Sequence, residues 1–395
     1  HSMDFDEAVE KGLIEWMGEE TDEAFLKNVE AQAINRDVVA KVADDFRVVY
    51  TPFHGCGWKL VPEALHRLGV KHLYPVEEQM VLDGNFPTVE SPNPEERKTM
   101  AKAIELGSRL GADLVLATDP DSDRIGVALR NAKGEYVLLN GNQTLSLIMA
   151  YQLTRWSELG RLDGKEFVVK TIVTSQMPNV MAAHFGVKCY DCLTGFKYIA
   201  RIIRNNEGKA TYIGGGEESF GYLAGDFVRD KDAVSACSLV AEAAAWTRDT
   251  MGLTLYEWLQ KLYVEFGFFR EGLVSVVRKG MEGAAEIQQM MVDYRADPPR
   301  EIAGSPVVKI NDFKLLESTD VRTGAKTPIE EEASNVLQWF AADGTVVSVR
   351  PSGTEPKIKF YFGVRAELES VADFDRVEVG LDAKIETIKK ELKLV

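Results

Sequence analysis

This 395-residue chain has little cysteine, little histidine and a shortage of positive charge. Four cysteines do not staple a chain of this length, and Cys189-Tyr-Asp-Cys192 is a lone C-x-x-C without the second pair that a zinc site needs. Of five histidines one stands first and the rest are scattered, which gives a Ser-His-Asp relay no support. No apolar run approaches the ~18 residues that span a bilayer. A basic-then-apolar leader is not found either, so the expected location is cytoplasmic, with no membrane partner. Lys and Arg number 46 against 62 Asp and Glu, a net charge of −16. That balance argues against nucleic acid, whose non-specific binding rests on basic patches. There is no Walker A Gly-Lys-Ser/Thr run. Gly55-Cys-Gly57 is half a dinucleotide fingerprint, because Leu60 stands where the third glycine belongs.

What is present reads as an ordinary globular chain, 45% hydrophobic and 27% charged. At roughly 150 residues per domain it holds two to three domains. His1-Ser2-Met3 reads as the scar of a cleaved tag and is set aside. Phe5, Val9, Leu13 and Trp16 recur at helical spacing, and a second helical stretch runs from Phe25 to Val42. Strands at Phe46–Tyr50, His72–Val76 and Leu114–Ala117 alternate with helices. Pro94 is expected in the first turn of the helix that Gly111 ends, and a hairpin turns at Asn131-Ala-Lys-Gly134. Further strands, Phe167–Val173, Val187–Tyr190 and Thr211–Ile213, again alternate with helices. The last third carries four strands and one long amphipathic helix. The fold class is therefore α/β: two consecutive α/β domains with mixed sheets (residues 4–141 and 142–267), a connector (268–299), and a smaller α+β C-terminal domain (300–395).

Three loops carry chemistry. In Asp119-Pro-Asp121-Ser-Asp123-Arg124, three carboxylates alternate directly after a buried strand, so a turn can converge them on one point. Such a set repels itself unless a cation joins it, and hard oxygen ligands select Mg²⁺, Mn²⁺ or Ca²⁺. An EF-hand is excluded, since Arg124 and Arg130 stand where that loop needs Gly and Glu. A solvated acidic turn is the plain alternative. Gly214-Gly-Gly-Glu217-Glu218-Ser219-Phe-Gly221 allows close backbone approach to a ligand, and Glu217 and Ser219 alternate so that both can meet a polyol. Arg350-Pro-Ser352-Gly353-Thr354-Glu-Pro-Lys357 joins a guanidinium fork, an ammonium and hydroxyls, the set a phosphate takes; an ordinary hairpin loop fits the same glycine and prolines.

In this order the three loops resemble those of the α-D-phosphohexomutase superfamily, the phosphoglucomutases and phosphomannomutases. Thr51-Pro-Phe-His-Gly, Asn85-Phe-Pro-Thr-Val, Pro92-Asn-Pro-Glu95, Leu193-Thr-Gly-Phe-Lys197 and Arg229-Asp-Lys-Asp232 also resemble their counterparts there, so the likeness covers nearly the whole chain. The resemblance implies that Asp119, Asp121 and Asp123 hold Mg²⁺ and that Arg124 faces the active-site phosphates. It implies that Glu217 and Ser219 bind sugar hydroxyls, and that Lys231 is the general acid/base with Arg229 and Lys197 beside it. Arg350, Ser352, Gly353, Thr354 and Lys357 would grip the non-reacting phosphate of a hexose phosphate or hexose bisphosphate.

One departure matters. The family's nucleophile is a phosphoserine in a Thr-Ala-Ser-His-Asn-Pro-like loop of its first domain, and no such loop stands in these 395 residues. Ser91-Pro-Asn-Pro94 lacks the His. The chain thus reads as the second to fourth domains, with the first as a missing partner, and is expected to be inactive alone and to expose an apolar patch on its first helices or on 51–57. Two rivals stand beside this reading: a haloacid-dehalogenase-like phosphatase with Asp119 as nucleophile, and a non-catalytic phosphosugar-binding module. Asp123 sits where the former wants Thr or Val.

Overall fold

The computed structural model describes residues 2–278, 280–352 and 356–394. Its strands, in chain order, are β1 (Arg47–Thr51), β2 (His72–Pro75), β3 (Leu114–Thr118), β4 (Ile125–Arg130), β5 (Tyr136–Leu138), β6 (Glu166–Thr171), β7 (Lys188–Cys192), β8 (Thr211–Gly216) and β9 (Tyr222–Ala224). The C-terminal strands follow as β10 (Phe268–Val277), β11 (Glu301–Ile302), β12 (Ser305–Asp312), β13 (Glu317–Asp320), β14 (Lys326–Pro328), β15 (Leu337–Ala341), β16 (Val346–Pro351) and β17 (Lys357–Ala366).

The helices are α1 (Phe5–Glu10), α2 (Glu19–Ala31), α3 (Arg36–Val42), α4 (Gly57–Leu68), α5 (Ala101–Leu110) and α6 (Gly141–Glu158). After them come α7 (Met177–His184), α8 (Phe196–Asn206), α9 (Ala233–Trp246), α10 (Leu255–Phe266), α11 (Gly280–Ala296) and α12 (Phe374–Glu391). Among the described residues no helix is long and apolar enough to cross a membrane.

The first sheet runs β2-β1-β3-β4-β5, parallel across β2, β1 and β3 and antiparallel beyond. The second runs β7-β6-β8-β9 with the same mixed character. Parallel strands need both faces covered, which is why Val48, Val49 and Tyr50 are all buried in sequence. The helix that does most of the covering is α9. It reads Ala-Val-Ser-Ala-Cys-Ser-Leu-Val-Ala-Glu-Ala-Ala-Ala-Trp, its small residues admit close neighbours, and every one of its positions is buried. It packs on α3, α4 and α6 and reaches β3, β4 and β9, so both sheets share one core. Its single charge, Glu242, is satisfied: it accepts hydrogen bonds from the Ile34 amide (2.8 Å), the Asn35 amide and the Tyr151 hydroxyl (2.6 Å).

The C-terminal sheet is antiparallel, in the order β10-β17-β16-β15-β12-β13-β14 with β11 beside β12. Its Ile358, Phe360, Val347 and Val349 are buried, and α12 packs on β10 and β17. The expected architecture of two α/β domains and an α+β end is therefore the one found.

Several local readings change. The first helix stops at Glu10, because Gly12 turns left-handed at φ +66°, and Leu13, Trp16 and Met17 are left 69%, 76% and 81% exposed. The stretch to Val42 is two helices, broken before Arg36. Pro94 is not in a helix: α5 starts only at Ala101, after a run of turns, although Gly111 does end it at φ +62°. The connector read with one helix over 268–299 does hold that helix, Gly280–Ala296, but it opens as a strand. Phe268–Val277 pairs with Lys357–Ala366 across ten residues and forms the edge of the C-terminal sheet.

Candidate active site

The loop after β3 is shaped by its own first acid. Asp119, 7% exposed, accepts hydrogen bonds on Oδ1 from the Asp123 amide (3.1 Å) and the Arg124 amide (2.9 Å), and the Ser122 amide bonds its carbonyl (3.0 Å). Ser122 is held at φ +59°, an uncommon backbone for a side chain with a Cβ. The turn brings one carboxylate oxygen each from Asp119, Asp121 and Asp123 within 4.8 Å of one another. Burial, joined by the charges of Asp123 and Asp121, pushes the Asp119 carboxyl up to about 7. Asp123 Oδ1 is buried without a hydrogen-bond partner. Three crowded acids, one with an orphaned oxygen, suit a hard divalent cation.

Two neighbouring loops are fastened to this one. A methyl at Gly55 would stand 2.3 Å from Pro120 Cα, so only glycine lets the 51–57 turn close over the acid loop, where the Cys56 amide bonds the Pro120 carbonyl (2.8 Å). On the other side Arg124 and Gly221 form a β-bridge, and the Ile125 amide donates to the Phe220 carbonyl (3.0 Å). The Gly-Glu-Glu-Ser segment is thereby carried against the acids. Gly214–Gly216 are the end of strand β8 rather than a loop, and the chain then turns through Phe220 at φ +67° into β9.

Glu217 is buried and accepts from the Gly195 amide (2.8 Å); burial, then the neighbouring Glu218, raises its carboxyl above the ordinary value. Glu218 accepts from the hydroxyls of Thr171 (3.0 Å) and Thr174 (3.2 Å). Ser219 is half-buried between Glu218 and Phe220.

Lys231 enters from the turn before α9, whose Ala233 amide bonds the Ser122 carbonyl (3.1 Å). Its Nζ lies 3.0 Å from Asp123 Oδ2 and 2.9 Å from Asp230 Oδ1. A Cβ at Gly221 would fall 2.1 Å from Lys231 Cδ, so the glycine leaves room for this side chain. Burial pulls the ammonium down, but the hydrogen bonds to Asp230 and Asp123 outweigh it and hold the group above the ordinary lysine value. Arg124 stands 3.6 Å from Asp119 and 3.6 Å from Glu95.

The C-terminal sheet supplies the opposite side. Arg350 and Lys359 are cross-strand partners on β16 and β17, so their side chains share a face. Burial pushes the hydroxyl of Tyr361, two residues beyond Lys359 on β17, up to about 12, and the charges of Glu218, Arg350 and Glu217 all reach it. Lys359 is felt by Glu95, whose carboxyl burial raises. The glycine loop thus lies between the acid loop, to which it is bridged, and the basic strands, whose Tyr361 feels its acids. The Ser352 amide bonds the Lys357 carbonyl (2.8 Å). Gly353 and Thr354 lie outside the described residues.

Two further expected residues are held by surface partners. Arg229 is exposed and paired with Glu207 (2.6 Å) at the end of α8, and Lys197 is exposed with its ammonium over the Tyr198 ring (4.8 Å). Conversely Glu95, Glu218, Lys359 and Tyr361 had no individual signal beyond their places inside or beside the three motifs.

Comparison with known proteins identifies the domains. Residues 23–134 match the phosphoglucomutase/phosphomannomutase alpha/beta/alpha domain II, 140–266 match domain III, and 308–379 match the C-terminal domain. Phosphoglucomutases of Staphylococcus aureus strains MRSA252 and N315 are each 36% identical over 341 residues, 86% of this chain and 60% of theirs. The chain therefore spans about three-fifths of the length of the curated relatives it matches. In solved structures the same fold occurs in the Paramecium exocytosis-sensitive phosphoprotein pp63/parafusin, a phosphoglucomutase in its open form (TM-score 0.61, 16% identity, 93% of this chain and 62% of that one). It occurs too in a phosphoglucomutase/phosphomannomutase family protein from Burkholderia thailandensis (TM-score 0.57, 17% identity, 90% and 64%). The chain belongs to the phosphoglucomutase/phosphomannomutase family, within the α-D-phosphohexomutase superfamily.

Proposed function

We propose that this polypeptide is the metal-, sugar- and phosphate-binding part of a phosphohexomutase, an isomerase that interconverts hexose 1-phosphate and hexose 6-phosphate through a hexose bisphosphate. What supports it best is the cluster of Asp119, Asp121 and Asp123 together with the nearness of Glu217, Glu218 and Arg350 to the Tyr361 hydroxyl. Asp119, Asp121 and Asp123 would hold Mg²⁺, which when bound neutralises charge on the phosphoryl group in transfer. Lys231, charged at rest, holds a proton within the acid cluster; it is poised to give that proton to a departing oxygen and acts as base only after losing it. Glu217 and Ser219 take sugar hydroxyls. Arg350 with Ser352, Gly353, Thr354 and Lys357 orients the phosphate that does not react, while Arg124 faces the one that does. Arg229 and Lys197 stand near Lys231 as further substrate-binding residues. Asp119 is poorly placed for a phosphatase nucleophile, because its Oδ1 is engaged by two backbone amides.

On this reading the phosphoryl-carrying serine comes from a first domain of the same protein, and the exposed Leu13, Trp16 and Met17 surface is where that domain is placed. The test is a coupled assay on the pure 395-residue polypeptide. Glucose 1-phosphate is expected not to turn over, whereas glucose 1,6-bisphosphate is expected to bind in calorimetry. Turnover with contaminating mutase excluded would overturn the relay argument. Absence of any bisphosphate binding would overturn the site itself.

A further inference from the structure

The cleft-facing side of the C-terminal sheet does not end at the basic strands. Cross-strand register places Asn311, Gln338, Ser348 and Tyr361 in one row, and Lys309 beside Phe340 in the next. Gln338 divides this face. Its Nε2 donates to the carbonyl of Ile172 (2.8 Å), just past the end of β6, and to Ser348 Oγ (2.9 Å), with Ile172, Phe313 and Tyr361 packed together beside it. On the Arg350 side lies the phosphosugar cleft. On the other side a separate cleft of about 910 Å³ opens between β7 and α8 and strands β12 and β15. That volume lies in the range of small-molecule sites and exceeds what one hexose ring fills.

The chemistry of this second cleft is specific. Its strong charges are largely matched within the protein: Arg201 pairs with Glu331 (2.8 Å) and Glu332 (2.6 Å), and Asp191 with the fully buried Lys170 (2.7 Å). Lys309 rests its ammonium 3.9 Å from the centre of the Phe340 ring. Asp191, Glu330, Glu331 and Glu332 outnumber Arg201 and Lys309 along the lining, which disfavours a phosphate or other anion. What remains for a ligand is a set of amides, Gln176, Asn205 and Asn311, next to aromatic rings, with Asn206 already bonded to the Ile202 carbonyl and the Tyr190 hydroxyl. Amides both donate and accept, as do hydroxyls. Asn311 Oδ1 is moreover buried with no hydrogen-bond partner, an acceptor left unsatisfied at the cleft wall.

We infer that this interdomain cleft binds a neutral oligosaccharide, at a site separate from the phosphosugar cleft and beyond the mutase reading. Saturation-transfer NMR on the full chain with maltotriose, cellotriose and mannotriose tests it. At least one is expected to receive saturation and to be displaced neither by glucose 1-phosphate nor by Arg350→Ala. Asn311→Leu is expected to weaken binding at least fivefold while moving the melting temperature little, since it removes an unsatisfied acceptor and only one long hydrogen bond, Nδ2 to Gln338 Oε1 (3.5 Å). Lys309→Met, on the same wall, gives the same loss should the leucine disturb the sheet. No transfer to any of the three sugars overturns the inference. So does transfer that Arg350→Ala abolishes, or that survives both Asn311→Leu and Lys309→Met.

Discussion

On the acidic side of the candidate site, carboxylates are positioned by the backbone. Asp119 is gripped by two amides of its own loop, that loop is bridged to Gly221, and the turn at Gly55 closes on Pro120 with no room for a methyl group. On the basic side, Arg350 and Lys359 stand on neighbouring strands of a separate antiparallel sheet, placed by register alone. That sheet meets the second domain through side chains such as Gln338 on Ile172 and Arg201 on Glu331. Like charges must be forced together, and only a rigid, interlocked backbone does so at 4.8 Å. Cations awaiting a phosphate need spacing rather than compression, and a pleated face provides it. The two sides should therefore fail differently when cut.

The largest effect is expected from Gly55→Ala. Its Cβ would meet backbone at Pro120, which cannot swing aside as a side chain can. The cost is about 1–3 kcal/mol of stability, the usual range for overpacking, together with loss of divalent-cation binding as the acid loop is pushed open. Thermal melts with and without Mg²⁺ read both. A variant that keeps its full metal-dependent shift in melting temperature would show that the acid loop does not depend on this contact.

Arg350→Ala comes next and should separate the sides cleanly. A charge-assisted hydrogen bond is worth roughly 1.5–3 kcal/mol, so sugar-phosphate affinity should fall roughly tenfold to a hundredfold. Metal binding and the melting temperature should hardly move, because register does not depend on this half-buried side chain. Calorimetric titrations of glucose 6-phosphate and of Mg²⁺ make the comparison. Unchanged sugar-phosphate affinity would remove Arg350 from the phosphate site.

The difference between the two sides also explains what the sequence disclosed. The acid loop was legible because alternation after a buried strand is a local signal, and the Asp119–Asp123 spacing carries its own geometry. Arg350 was legible because a loop between two strand patterns is local too. Glu95 and Lys359 were not, since their proximity comes from folding a proline-rich loop of one domain towards a strand of another. Lys231 was reached only through family likeness; nothing in Arg229-Asp-Lys-Asp232 says that its ammonium returns to Asp123. Among the helices and strands, Phe268–Val277 escaped because Arg270, Glu271 and Gly272 interrupt its apolar pattern, and its status as a strand is set by ten pairings with β17.

The smallest expected effect is a pH dependence confined to the acidic side. The Asp119 carboxyl stands at about 7 in the folded chain against an ordinary 3.8, with burial as the main cause. The folded, metal-free chain thus keeps a proton that the unfolded chain releases, so its stability falls as pH rises between those two values and levels off above. A bound cation needs that carboxylate ionised, so metal affinity moves the other way, rising by about tenfold at most from pH 6 to pH 8 for one competing proton. Sugar-phosphate binding in the absence of metal should rise much less, by about twofold, as the ligand's own phosphate loses its second proton at about pH 6. Fluorescence titrations of Mn²⁺ at the two pH values measure the first, and phosphosugar calorimetry in a chelator measures the second. A metal affinity that is flat from pH 6 to 8 would mean that Asp119 is already ionised in the folded loop, and that amide hydrogen bonds, rather than a proton, compensate the crowding of the three acids.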